Sequence, residues 1–241
     1  MTTIELEALI LQTQPYKEKD AIVTILTKDK KMNILARGIL SKQSKNRSLM
    51  QPFSLVSITI QERARGFSLL LYGNVKKYYF HILEDLEDQS LCFVLSDLVT
   101  FLKPSDEIFF LYQSCWSAFH KKDAKAYGYA CLIAKQVIIQ QGIVPYFDGC
   151  VSCGRTNRLT TIGIKEGGFL CTACNGYRYP TLSKETLVRY LSFFRISSAH
   201  QQDLLEKVQF TIDDFLFWMD WIQYHLDYPF KSLTFLQSIH E

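Results

Sequence analysis

Two cysteine pairs, Cys150-Val-Ser-Cys153 and Cys171-Thr-Ala-Cys174, constrain this 241-residue chain more than any other feature. Each is C-x-x-C, and the stretch between them is short enough to fold as one hairpin, so four thiolates can converge on one tetrahedral ion. Lys165-Glu166-Gly167-Gly168 can turn the chain back between Leu159 to Ile164 and Phe169 to Cys171, and Gly154 suits the tight turn behind the first pair. A redox pair, a disulfide and unligated thiols are the other readings of such cysteines. The first needs a strand-to-helix turn presenting one exposed, low-pKa thiol, whereas here two pairs bracket glycine-containing loops. The pattern therefore predicts one structural zinc ion held by Cys150, Cys153, Cys171 and Cys174. Four sulfurs close the coordination shell and leave no position for a catalytic water.

With 48% hydrophobic residues the chain can bury a core large enough for two domains and a small metal module. No segment approaches the roughly 18 apolar residues of a membrane span, and Met1-Thr-Thr-Ile-Glu5 lacks the layout of a signal peptide, so the expected location is the cytoplasm with no membrane partner. Cys92, Cys115 and Cys131 sit in apolar helical surroundings and read as reduced core residues.

The net charge of +3 is unevenly spread: residues 1–80 hold 13 Lys+Arg against 6 Asp+Glu, and the remainder holds 14 against 18. That asymmetry points to a polyanionic partner for the N-terminal part, although a solvated basic surface is the plainer reading of charge alone.

Residues 4–80 read as strands: Ile4 to Thr13, Ala21 to Thr27, Met32 to Leu40, Phe53 to Gln61 and Phe67 to Tyr72 are short runs rich in Val, Ile, Leu and Phe. Five short strands with one long connection predict a small Greek-key barrel of the OB type, whose ligand face lies on strands 2 and 3 and on the loops after strands 1 and 4. The cations fall around those loops. Lys17 and Lys19 lie in the first turn beside Tyr16, Lys28, Lys30 and Lys31 in the second, and Arg37 on the third strand. Lys42, Lys45 and Arg47 lie in the serine-rich connection 41–48, and Arg63 and Arg65 lie after the fourth strand. Aromatic rings beside a cationic groove hold a single nucleic-acid strand by stacking and phosphate contact. Of Tyr16, Phe53, Phe67 and Tyr72, only Tyr16 sits in a polar loop and is expected to be exposed; the others read as core.

From residue 88 the period becomes helical. Ser90 to Lys103 ends at Pro104, Ser105 caps Ile108 to His120, and Asp123 opens a helix through Gln141 that Gly142 stops. After the cysteine hairpin come Thr186 to Phe194 and the aromatic helix Ile212 to Leu226. Phe109, Phe110, Trp116 and the aromatics of 215–221 read as core, with a groove for an acidic peptide beside Lys121, Lys122 and Lys125 as the sharper alternative. The expected organisation is α+β and multi-domain: a five-stranded OB barrel over 1–80, then an α-helical domain over 81–241 with a four-cysteine zinc hairpin inserted at 147–180.

Taken in order, Pro15-Tyr16-Lys17-Glu18-Lys19-Asp20, Arg37-Gly38, Gln51-Pro52-Phe53, Cys150-Val-Ser-Cys153-Gly154, Gly167-Gly168-Phe169-Leu170-Cys171-Thr-Ala-Cys174, Leu182-Ser183 and His225-Leu226 make the chain resemble the RecO family of bacterial recombination mediators over nearly its whole length. The resemblance implies an OB-fold that binds single- and double-stranded DNA and a helical domain with a zinc finger. It also implies strand annealing at gaps and, with RecR and the C-terminal tail of single-strand-binding protein as partners, help in loading RecA. It implies no enzymatic site, and the residues agree in their own right: there is no phosphate-binding loop, no dinucleotide fingerprint, and no motif that clusters His81, His120, His200, His225 or His240 with carboxylates along the chain. Two other readings stand beside this one: a regulator in which barrel and zinc ribbon recognise RNA or promoter DNA, and a scaffold whose basic face binds an acidic protein.

Overall fold

The computed structural model describes residues 2–44 and 46–240. Its contacts divide the chain into two compact units, one formed by 1–133 together with 230–241 and the other by 134–229.

The first unit opens with five strands: β1 (Thr3–Tyr16), β2 (Asp20–Leu26), β3 (Lys31–Ala36), β4 (Ser54–Gln61) and β5 (Ser68–Tyr78). They close into a barrel in the order β1-β2-β3-β5-β4, with β3 and β5 parallel and the other neighbours antiparallel. This is the OB arrangement the strand pattern predicts. Closure depends on β1, which pairs with β4 over Thr3 to Ile10 and with β2 over Leu9 to Tyr16. A bulge between Ile10 and Gln12 bends the strand so that one ribbon serves two neighbours. Ala8, Ile10, Ala21, Val23, Ile25, Ile34, Val56, Ile58 and Ile60 fill the interior, as the two-residue alternation of strands requires.

Helices α1 (Leu86–Leu98), α2 (Asp106–Lys121), the first part of α3 (Ala126–Gln140) and α8 (Lys231–His240) complete this unit. The expected start of α1 at Ser90 falls one turn late. Asp85 caps the helix by accepting from the N–H groups of Glu87 and Asp88, and the Ser90 hydroxyl is spent inside the helix on the Leu86 carbonyl. Ser105 caps α2 through the Ile108 N–H, with Asp106 and Glu107 in the first turn where the helix dipole favours acids. Phe53 ties barrel to helices. Its ring is fully buried with centroids 5.0 Å from Phe93 and 5.4 Å from Trp116, its N–H donates to the Ile10 carbonyl and its carbonyl accepts from Tyr79.

The second unit holds the hairpin β6 (Leu159–Gly163) and β7 (Gly168–Cys171), the short helix α4 (Thr172–Asn175), α5 (Lys184–Arg195), α6 (Gln201–Lys207) and α7 (Ile212–Leu226). Phe193, Phe210, Phe215, Trp218 and Trp221 are buried in it, and Trp221 donates its ring N–H to the Ile143 carbonyl at 2.8 Å. Asp214 is nearly fully buried and accepts from Tyr190 at 2.6 Å, Arg189 at 2.5 Å and the Thr211 N–H at 2.9 Å, which closes a capping box on α7. Among the described residues no helix is long and apolar enough to cross a membrane.

Candidate metal centre and nucleic-acid interface

The four predicted cysteines meet. Cys150, Cys153, Cys171 and Cys174 bring their sulfurs within 4.8 Å of one another, and the Cys153 and Cys171 sulfurs are 3.8 Å apart. Sulfurs at the corners of a tetrahedron with metal bonds of about 2.3 Å stand about 3.8 Å apart, so the set can hold a metal ion. Local backbone builds the knuckles. Cys150 donates its N–H to the Arg155 carbonyl at 2.7 Å and its carbonyl accepts from the Gly154 N–H at 2.8 Å, and Gly154 takes φ +72°, which a side chain would strain. Gly168 lets the hairpin dock: a Cβ there would stand 2.4 Å from the Tyr146 carbonyl oxygen, against which β7 lies.

The thiols divide their protons unequally. Burial pushes the Cys150 thiol up, but N–H groups of Cys171, Ser152 and Cys153 aimed at its sulfur outweigh that and bring it down to about 6. The N–H of Cys174 lowers Cys171, while Cys174 is pushed up to about 12 because its own S–H is held by the sulfurs of Cys153, Cys171 and Cys150. Four thiolates this close repel one another, and a bound dication removes that cost. Cys92 and Cys115 lie buried elsewhere with thiols raised by desolvation, as inert core residues should be.

The predicted barrel cations separate into two groups. Tyr16, Lys17, Lys19, Arg37, Lys42 and Arg47 gather at one end: Tyr16 pairs with Asp20 across the β1–β2 turn, the Lys19 carbonyl accepts the Leu40 N–H at 3.0 Å, and the Asp20 carboxylate accepts the Gly38 N–H at 2.8 Å. The loop 41–48 returns to the barrel there, where the Thr13 hydroxyl donates to the Met50 carbonyl at 2.5 Å. All six are exposed, and among the described residues none of the five cations has an ion-pair partner. Lys17 Nζ stands 5.4 Å from the centre of the Tyr16 ring. Lys45 lies outside the described residues.

Lys28, Lys30, Lys31, Arg63 and Arg65 lie at the other end, around the β2–β3 and β4–β5 turns. Three of them already have partners. Lys30 pairs with Glu62 at 2.7 Å, Lys28 reaches Asp106 at 3.9 Å and covers the Phe110 ring at 4.7 Å, and Lys31 donates to the Thr100 hydroxyl at 2.6 Å. Burial lowers the Lys31 ammonium, with Asp97 opposing. Arg63 has its Nε out of solvent, and only Arg65 is openly exposed.

Two rings expected in the core are at the surface. Tyr72 is 62% exposed and Phe67 38%, whereas Phe53 is buried. The bulge in β5 opposite Thr59 and Ile60 breaks the alternation that would turn Tyr72 inward. Asn46 Nδ2 lies 3.5 Å from the Leu71 carbonyl, so Tyr72 adjoins the 41–48 loop and is a second exposed ring on that side.

A family model described as Recombination protein O N terminal matches residues 1–79, and one described as Recombination protein O C terminal matches 89–234. The chain belongs to the RecO family. A relative named DNA repair protein RecO from Syntrophomonas wolfei is 28% identical over 218 residues, covering 87% of this chain and 86% of its own. Proteins of the same name from Bacillus pumilus (27% identical, 83% and 81% covered) and Bacillus subtilis (25%, 84% and 82%) are similar over comparable spans. The two family matches together take in both candidate sites, the barrel cations and the four cysteines.

Proposed function

We propose that this protein is a non-enzymatic DNA-repair mediator that binds single- and double-stranded DNA without reading sequence, anneals complementary strands, and helps load RecA at gaps together with RecR and the C-terminal tail of single-strand-binding protein. It acts in the cytoplasm, and its four cysteines hold one structural zinc ion. The observation that carries the reading is the barrel end where Lys17, Lys19, Arg37, Lys42 and Arg47 stand exposed and unpaired around Tyr16 in a chain of the RecO family. Lys45, in the same loop by sequence, adds a sixth cation.

Phosphates follow cations regardless of base, so such a face grips any sequence. Rings such as Tyr16 and Tyr72 offer bases a stacking surface without reading their hydrogen-bonding edges. Annealing requires two like-charged strands to approach, and positive charge on the protein screens both while the edges stay available for pairing. The opposite end of the barrel contributes little, because Glu62, Thr100 and Asp106 already engage its lysines.

The test is the salt dependence of single-strand binding. Each phosphate contact contributes a slope of about −0.7 in log affinity against log salt, so replacing Lys42, Lys45 and Arg47 by Ala together should flatten the slope by about 2. Replacing Lys28, Lys30 and Lys31 by Ala together should change it far less. Equal effects of the two triples refute the assignment of the DNA face, and higher affinity for structured RNA than for single-stranded DNA favours an RNA-binding regulator instead.

A further inference from the structure

The region after the barrel is acidic except in one place. Residues 149–184, which contain the cysteine module, hold Arg155, Arg158, Lys165, Arg178 and Lys184 against the single acid Glu166, while the rest of 81–241 holds 9 Lys+Arg against 17 Asp+Glu. Glu166 is itself paired with Arg178. Arg155, Arg158 and Lys184 are exposed, and among the described residues their side chains have no hydrogen-bond or ion-pair partner.

Arg158 and Lys184 lie on segments that flank the cysteine end of the hairpin, and Tyr177 follows the short helix that leaves it. Arg158, Lys184 and Thr156 are the polar members of a groove of about 450 Å³ whose other walls are apolar, among them Leu159, Leu187 and Leu191. The Arg158 carbonyl accepts the Thr172 N–H at 3.0 Å, which sets Arg158 against α4, and α4 is capped by Gly176, immediately before Tyr177. Tyr177 is 102% exposed and takes φ +63°, a conformation unfavourable for a residue with a side chain. Its ring packs against nothing, so folding gains no stability from it. A bare ring on a module with unanswered guanidinium groups is the combination that stacks a base and grips its phosphates.

We propose that the metal module is a second single-strand contact surface, so that the protein holds one strand on the barrel and captures another through Arg155, Arg158, Lys184 and Tyr177. The inference rests on the annealing function proposed above and gives it a physical route. A strand held at the barrel face has neutralised the cations there, and a second strand is drawn to separate positive charge. The ligand is single-stranded nucleic acid, whose bases are free to stack on Tyr177; a paired duplex offers that ring no open base.

The test uses full-length protein carrying Arg155→Gln, Arg158→Gln and Tyr177→Ser, with metal content matched to wild type, and a second variant with Arg155→Lys and Arg158→Lys. Protein saturated with one unlabelled strand is challenged with a labelled, non-complementary strand, and annealing of complementary strands is followed separately. The first variant should bind its first strand within about 3-fold of wild type, yet capture the second strand and anneal about 10-fold less well or worse. The salt slope of second-strand capture should fall by about 1.4 for the two lost guanidinium contacts. The lysine variant should retain most of both activities. Wild-type rates of capture and annealing in the first variant overturn the inference. So does loss of binding to an acidic peptide with annealing intact, which would make the groove a protein-docking site. Wild-type protein that binds one strand but never a second overturns this inference alone, whereas wild-type protein that binds no strand overturns the proposed function.

Discussion

Metal removal should unfold one definable segment and leave the barrel intact. Residues 151–158, which carry the first knuckle on from the buried Cys150, are exposed without exception, so no side chain among them is buried enough to hold the backbone in place. Ordering those eight residues costs about 8–16 kcal/mol at about 1–2 kcal/mol each. The module's own small core, Cys150, Leu170 and Cys171, contains one non-cysteine side chain, and burying a leucine returns about 1.5–3 kcal/mol. A structural zinc ion bound by thiolates supplies about 10–16 kcal/mol, enough to cover the difference.

The amides that report this are known. Gly154 N–H donates to the Cys150 carbonyl at 2.8 Å, Val151 N–H to Phe169 at 2.8 Å and Cys150 N–H to Arg155 at 2.7 Å. After treatment with a chelator at neutral pH, hydrogen exchange at these three should accelerate by about 10³-fold or more, which corresponds to about 4 kcal/mol of lost local stability. Barrel amides in the β1–β4 ladder should keep their protection. Cys153→Ser should reproduce the effect without chelator, since it removes one of the four convergent sulfurs, and Cys153 is an exposed residue whose replacement empties no core. Persistent protection of Gly154 in metal-free protein would refute the argument, because the knuckle would then be stable without its ion.

Phe53→Ala should destabilise the protein by about 3–5 kcal/mol in chemical denaturation, since it empties a fully buried site between Phe93 and Trp116; a loss under about 1 kcal/mol would show that the barrel and α2 do not depend on this ring. His120 gives a pH dependence of definite sign. Burial lowers its imidazole from the ordinary value of 6.5, the stacked His81 ring at 4.4 Å and the cations Lys77 and Lys121 push the same way, and Glu84 opposes. The unfolded chain therefore takes up this proton at higher pH than the folded one, and the stability involved is complete above about 6.5 and lost as pH falls from there through the folded-state value. His120→Gln should flatten the melting temperature against pH between about 7 and 5, and an acid limb identical to wild type would remove His120 from the account.

The parts of this molecule legible in its sequence are those whose partners lie close along the chain. The cysteine site could be read because its ligands are two C-x-x-C pairs on one hairpin, so spacing alone carried most of the geometry. Most strands could be read because alternation is local. β5 could not be read past Tyr72: Gly73, Asn74, Lys76 and Lys77 look like a turn, yet they continue the ladder to Tyr78 because β4 offers them a partner strand. The same limit applies to α8, a ten-residue helix whose reason for forming is α1. Ser232 donates to Asp97 at 2.6 Å and His240 meets Glu87 at 3.0 Å, contacts between segments far apart along the chain.

The barrel cations show most sharply why that limit matters for function. Ten described cations within 17–65, with Lys45 beside them in sequence, share a composition that suits a polyanion, and nothing along the chain distinguishes Lys17 from Lys31. What distinguishes them is Thr100 and Asp97, well over sixty residues further on, which receive Lys31 and leave Lys17 to solvent. An exposed cation keeps its field and its freedom to follow a phosphate, whereas a paired one must first break its existing contact, so equal charge in the sequence becomes unequal affinity in the fold. The same reasoning works in reverse for the metal module. Its positive charge is invisible in the net balance of the C-terminal region because helical acids outnumber it, yet the cations are local, exposed and almost unopposed where they stand. A phosphate approaching within a Debye length of about 10 Å responds to that local balance rather than to the sum over the region.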